Sequence, residues 1–342
     1  MPLSDAELGE RLAARTLELI DIPSESREEA AIVAHVLEVL PEARVLGDTC
    51  VVAGPERAEV LLGGHLDTVP AQGNIPGAFD GDRVRGLGAS DMKGALAVMI
   101  ELVLAGAPFG ALFFGREELP LADSALTPLL AREPFDPELV VMMEPTANEL
   151  HAGCLGNVNA TWTFHGRSGH SARPWLADNA IEHAAAGVTA LAAHEPEPHE
   201  FGGLSFIEVA SVTRIAGGIA GNVIPETAEC QVNFRYAPGR SPHEADARLA
   251  ALCAGHGELR IDSNAPSGAV ARGSLVDALI AAGDLAVAPK QAWTPVAEFA
   301  AAGLPAVNFG PGDPPQAHTR DESVEVAALV RAYRVLEAFA AR

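Results

Sequence analysis

The sequence predicts an α/β protein: a mixed, mostly parallel sheet flanked by helices, with a smaller α+β segment inserted into it. Three observations carry this expectation. Short, mostly apolar runs at 59–62, 111–114 and 139–143 are too brief for helices and are followed by polar residues, as strands buried on both faces are. Stretches 160–165 and 229–236 alternate instead, the latter placing Cys230, Val232, Phe234 and Tyr236 on one face and Gln231, Asn233 and Arg235 on the other. Such alternation belongs to a half-exposed antiparallel sheet. Beyond that region, 274–282, 306–309 and 322–341 return to α/β texture.

In chain order, Ser4 with Glu7, Ser26 with Glu29, and Ser241 with Pro242 and Glu244 each read as a capping box that opens a helix. The apolar stretch 95–104 reads as a further helix, and so do 179–193 and 242–254. The expected boundaries are therefore 1–157 for the first part of one domain, 158–267 for the insert, and 268–342 for the return to the first domain.

Composition narrows the function. A chain of 342 residues is long for one core, and 48% hydrophobic with 20% charged residues is the profile of a folded protein. No apolar run reaches the roughly 18 residues of a membrane span, and the first residues lack a basic then apolar leader pattern, so a cytoplasmic location without membrane attachment is expected. The formal charge of −23 comes with two lysines, Lys93 and Lys290, which argues against nucleic acid as a partner. Cys50, Cys154, Cys230 and Cys253 show no C-x-x-C pairing and read as buried thiols.

Acidic and histidine residues follow the predicted strands one after another, where sheet-based sites collect their ligands. In Gly64-His65-Leu66-Asp67-Thr68-Val69-Pro70, His65 and Asp67 point the same way on extended backbone, so the carboxylate can orient a metal-bound imidazole. Asp91 follows a glycine-rich approach and precedes an apolar stretch; it reads as a helix cap or as a carboxylate bridging two cations. Glu117 and Glu118 are adjacent carboxylates facing opposite ways, so one can ligate while the other reaches an attacking water. Glu144 ends an apolar strand, where a cation would compensate its burial. His318 alone is an ordinary loop histidine, just as a lone H-x-D is a surface turn and an acidic pair a solvated loop. Together the set supplies one histidine and one terminal carboxylate for each of two zinc ions with Asp91 between, the ligand count of a two-metal hydrolase with metals about 3.5–4 Å apart.

In this order the motifs resemble the metallopeptidase and deacylase family that includes carboxypeptidases, aminoacylases, acetylornithine deacetylase and succinyl-diaminopimelate desuccinylase, over nearly the whole chain. The resemblance implies a zinc-peptidase-like catalytic domain whose insert is a lid and dimerisation domain. It implies His65, Asp91, Glu118, Glu144 and His318 as ligands of two Zn2+, with Co2+ or Mn2+ able to substitute. Asp67 would orient His65, and Glu117 would be the general base. The segment Gly169-His170-Ser171-Ala172-Arg173-Pro174-Trp175 resembles the lid segment whose histidine reaches the partner's site, implying a homodimer in which His170 acts in trans on the oxyanion. Asn222, Arg173, Arg235 and Gly310 are the implied contacts to an N-acyl amino acid substrate, Arg235 fitting a lid salt bridge equally well. The implied reaction is amide hydrolysis on the desuccinylase side of the family, N-succinyl-LL-2,6-diaminopimelate first; an N-acetyl-ornithine-type deacetylase, an aminoacylase, a dipeptidase or a silent binding relative are the alternatives. Leu87, Pro295 and Glu298 depart from the family's pattern, where Arg, Asp and Arg are expected.

Overall fold

A computed structural model describes residues 3–47 and 49–342. The chain divides into two compact units: one holds the described residues through Gly153 with Ala269–Pro289 and Thr294–Arg342, the other Cys154–Gly268 with Lys290–Trp293.

The first unit is built on an eight-stranded sheet in the order Arg44–Val45, Val51–Ala53, Gly110–Phe114, Val60–His65, Leu139–Met142, Ala306–Asn308, Leu150–Ala152, Val287–Pro289. Its middle is parallel: Val60–His65 pairs parallel with both Gly110–Phe114 and Leu139–Met142, and the latter pairs parallel with Ala306–Asn308. All residues of these four strands are buried, which explains why the sequence showed runs rather than alternation. The helix Asp5–Ile20 opens with the expected Ser4–Glu7 capping box. It buries Leu8, Leu12 and Leu19 on one stripe, at helical spacing. No helix among the described residues is long and apolar enough to cross a membrane.

The second unit is an antiparallel sheet in the order Glu197–Phe201, Leu204–Gly217, Thr227–Tyr236, Gly156–His165, Glu258–Ala265, with helices Ala180–Ala192 and Pro242–Leu252. Thr227–Tyr236 alternates buried and exposed residues as its sequence does, and Ser241 with Glu244 caps the second helix. The core gathers Trp162, Phe164, Cys230, Val232, Phe234 and Leu249 around the inward sheet face. Lys290–Trp293 belongs to this unit although the sequence placed it with the other. Gln291 bonds both backbone groups of Ile207 (3.1 and 2.6 Å), and the Trp293 indole donates to the Pro266 carbonyl at 3.1 Å. The Trp162 ring is fully buried, 4.7 Å from that of Phe164. Trp162→Ala is expected to cost about 3–5 kcal/mol, read from the urea midpoint of the near-ultraviolet signal; an unmoved midpoint refutes it.

Candidate metal centre

The parallel strands of the first unit deliver their chemistry at their carboxyl ends, where open α/β sheets form sites. Val60–His65 ends on His65, Gly110–Phe114 leads to Glu117 and Glu118, Leu139–Met142 to Glu144, and Ala306–Asn308 into the segment carrying His318. Three ligand groups result, each with donor atoms within 4.8 Å of one another: His65, Asp91 and Glu144; Asp91, Glu118 and His318; and His65, Glu117 and Glu118. The first two share Asp91, and each adds one histidine and one glutamate. His65 Nε2 lies 3.0 Å from Asp91 Oδ1, and His318 Nε2 lies 2.9 Å from Glu118 Oε1 and 3.7 Å from Asp91 Oδ2. Imidazole nitrogen and carboxylate oxygen suit a divalent transition metal, and the residues fit a pair of such ions.

Electrostatics supports the same reading. Burial, and then the neighbouring carboxylates beginning with Glu144, push the Glu117 carboxyl well above its ordinary range. For His65, burial disfavours the imidazolium, but the hydrogen bond to Asp91 and the charges of Glu117, Asp91 and Glu144 outweigh it and raise the pKa well above the usual imidazole value. The hydrogen bond to Glu118 pushes His318 up to about 9. Cations bound there would compensate the charge of the carboxylates gathered in this cluster.

Local geometry differs from the sequence reading in several places. Asp91 caps no helix: its backbone is non-helical (φ −125°, ψ 89°), and the following helix, Gly94–Leu104, is preceded by Lys93. His65 is oriented by the Asp67 backbone carbonyl, 2.9 Å from Nδ1, while the Asp67 carboxylate stands off at 3.8 Å. That carboxylate instead accepts the backbone N–H groups of Glu117 (3.0 Å) and Glu118 (3.2 Å) and the Ser26 hydroxyl (2.7 Å). Glu117 and Glu118 do not diverge; each brings an oxygen into one cluster with His65. The chain reaches them through Arg116 in the left-handed region (φ 62°), as His318 also is (φ 62°), a conformation that costs energy for a residue with a side chain.

The supposed capping box at Ser26 and Glu29 is absent, since the helix Ala30–Val39 begins without a side-chain cap. Ser26 holds Asp67, and Glu29 accepts the Arg116 N–H at 3.1 Å, so both brace the segment carrying Glu117 and Glu118. No signal in a single sequence separates this use of an S-x-x-E spacing from a cap. At Gly310 the backbone is held on both sides: its N–H donates to Thr146 Oγ1 (3.0 Å) and its carbonyl accepts from the Asn148 N–H (2.9 Å). A Cβ there would stand 2.3 Å from the Met143 carbonyl oxygen, so the residue must be glycine for the chain to pass the end of Leu139–Met142. Of the departures, Leu87 is buried, and Glu298 is buried with its carboxylate accepting the Ser124 hydroxyl at 2.6 Å and that of Thr127.

His170, Arg173, Asn222 and Arg235 lie in the second unit. His170 is exposed on the short strand Gly169–His170, paired with Val223–Ile224. The Ala172 N–H donates to its Nδ1 at 3.1 Å, so Nδ1 serves as an acceptor and Nε2 is the ring nitrogen available to donate. Asn222 accepts the Ser171 N–H through its backbone carbonyl at 3.0 Å, and Arg173 is exposed. Arg235 is half-buried and donates through Nε to Asn233 Oδ1 at 2.9 Å, an amide rather than the carboxylate of a salt bridge. Burial lowers its pKa.

Comparison with known proteins gives this geometry a family. A protein of Mycobacterium tuberculosis provisionally named succinyl-diaminopimelate desuccinylase DapE is 37% identical over 341 residues, covering 95% of this chain and 96% of that one. The succinyl-diaminopimelate desuccinylase of Corynebacterium glutamicum is 32% identical over 93% of this chain and 94% of its own. Among solved structures, aminopeptidase PepT of Bacillus cereus superimposes with a TM-score of 0.74 at 18% identity, covering 98% of this chain and 99% of that chain. The YXEP protein of Bacillus subtilis, described as a dinuclear metal binding peptidase, does so with a TM-score of 0.67 at 16% identity over 98% of each chain. The family model described as peptidase family M20/M25/M40 matches residues 61–342, the span that holds all the clustered histidines and carboxylates, and the chain belongs to that family.

Proposed function

We propose that the protein is a dizinc hydrolase that cleaves N-succinyl-LL-2,6-diaminopimelate to succinate and LL-2,6-diaminopimelate. The observation that carries the reading is the pair of His–Glu sets sharing Asp91, with a further, half-buried carboxylate, Glu117, beside them. His65, Asp91 and Glu144 would hold one Zn2+, and Asp91, Glu118 and His318 the other. Two cations bound there would supply a water that ionises near pH 7 and a positive field for an acyl carbonyl oxygen. Glu117 takes the proton of the attacking water on a carboxylate oxygen as the new C–O bond forms. It returns that proton to the amide nitrogen as the C–N bond breaks, so succinate and a free amine leave.

Asp67, through the Glu117 and Glu118 amides, keeps both carboxylates in place. His170 of the partner subunit in a homodimer would donate to the oxyanion through Nε2. Arg235, with Asn222 and Arg173, would hold a substrate carboxylate; a guanidinium that ends on an amide keeps its charge for such an anion.

A panel of N-succinyl and N-acetyl diamino acids, assayed for release of free amine with Zn2+ present, tests the substrate. The succinylated diaminopimelate is expected to give a kcat/KM at least tenfold above N-acetyl-ornithine. The reverse order would move the assignment to a deacetylase.

A further inference from the structure

The segment that presents Asp91 is a kinked π-turn, Ala89–Lys93, with non-helical backbone at Asp91 and Met92, and amides in and just before it converge on one residue. Glu322 is 2% exposed. Its carboxylate accepts the Gly88 N–H on Oε2 and the Ser90 and Asp91 N–H groups on Oε1, each at 2.9 Å. Its backbone carbonyl accepts the Gly86 N–H at 3.0 Å. Gly86 and Gly88 both have positive φ (145° and 78°), which turns the N–H groups of the segment toward a single point. Glu322 also lies four residues beyond His318, at the entry to the strand Ser323–Glu325, whose Ser323 pairs with Arg85 just before the segment. One side chain thus joins the backbone that carries Asp91 to the backbone that carries His318.

We propose that Glu322 is a positioning residue for the ion held by Asp91, Glu118 and His318, fixing the separation of the first and last of these ligands before any ion binds. The proposal rests on the two-metal reading above. A carboxylate is specifically suited because three donors converge on two oxygens, and hydrogen bonds to a charged acceptor are about twice as strong as neutral ones. An amide would do less. In Glu322→Gln the remaining oxygen can still take Ser90 and Asp91, but the NH2 group then faces the Gly88 N–H, donor against donor, and the turn must shift. Residues that orient ligands in this way commonly contribute 10–100-fold to metal affinity.

The test is titration of the metal-free full-length chain with Zn2+ against a chromophoric chelator, for the parent, Glu322→Gln and Glu322→Ala, with thermal melting of each metal-free chain. For Glu322→Gln one of two affinities is expected to fall by about 10–100-fold while the other moves by less, with turnover recovering at saturating Zn2+. Two unchanged affinities in a folded Glu322→Gln chain would overturn the proposal, even if the metal-free melting temperature drops, because that pattern is purely structural support. Should Glu322→Ala fail to fold, Glu322→Gln still decides. A parent chain that binds no pair of ions would instead refute the two-metal reading itself.

Discussion

Glu117→Gln is expected to retain fold and bound metal while kcat falls by roughly 10²–10⁴-fold, the usual contribution of a positioned acid–base group. Glutamine matches glutamate in shape and keeps the backbone N–H that donates to Asp67, so the loop should hold its course. What it lacks is a site that accepts a proton from water and later returns it to the leaving amine. Stability moves the other way. Glu117 is crowded by Glu144, Glu118 and Asp91, and its raised pKa reports the cost of ionising there. Removing an ionisable group from that cluster should leave the metal-free chain at least as stable as the parent. Initial rates on the succinylated substrate, metal content and thermal melting together check this. A variant within about tenfold of parental kcat would exclude Glu117 as the base.

Asp91→Ala has the second large effect, on occupancy before chemistry. Asp91 is the one residue common to the two His–Glu sets, with one oxygen 3.0 Å from His65 and the other 3.7 Å from His318. Alanine leaves two ligands for each ion, below the three protein ligands that catalytic zinc sites retain. Bound zinc is expected to fall from two equivalents to less than one, and hydrolysis to the detection limit. Zinc content measured after gel filtration is decisive: two retained equivalents would mean that Asp91 does not bridge. Since its side chain caps no helix, the metal-free variant should still fold, which separates loss of metal from loss of structure.

The elements were legible where the local pattern has one physical cause. Strands buried on both faces must be apolar throughout, so 111–114 and 139–143 stood out and became Gly110–Phe114 and Leu139–Met142. A strand with one wet face must alternate, and Thr227–Tyr236 does. The boxes at Ser4 and Ser241 form because both partners lie within one turn. Ser26 and Glu29 have the same spacing but find stronger claims on their side chains, at Asp67 and at the Arg116 amide, 41 and 87 residues distant. The same holds for Glu322, which meets Gly88 across 234 residues and carried no motif. Lys290–Trp293 joins the second unit through hydrogen bonds to Ile207 and Pro266, which the run of residues around it does not announce.

The sequence by itself determined the α/β class, the antiparallel insert and the set His65, Asp91, Glu117, Glu118, Glu144 and His318, because hydrophobic period and ligand chemistry are properties of residues and their near neighbours. Only the tertiary structure decided how that set is braced: that Asp67 supports the Glu117 and Glu118 backbone while its carbonyl orients His65, and that the Gly310 N–H and carbonyl bond to Thr146 and Asn148. A buried polar group must satisfy its hydrogen bonds with whatever the fold brings beside it, and that neighbour is set by the packing of distant segments.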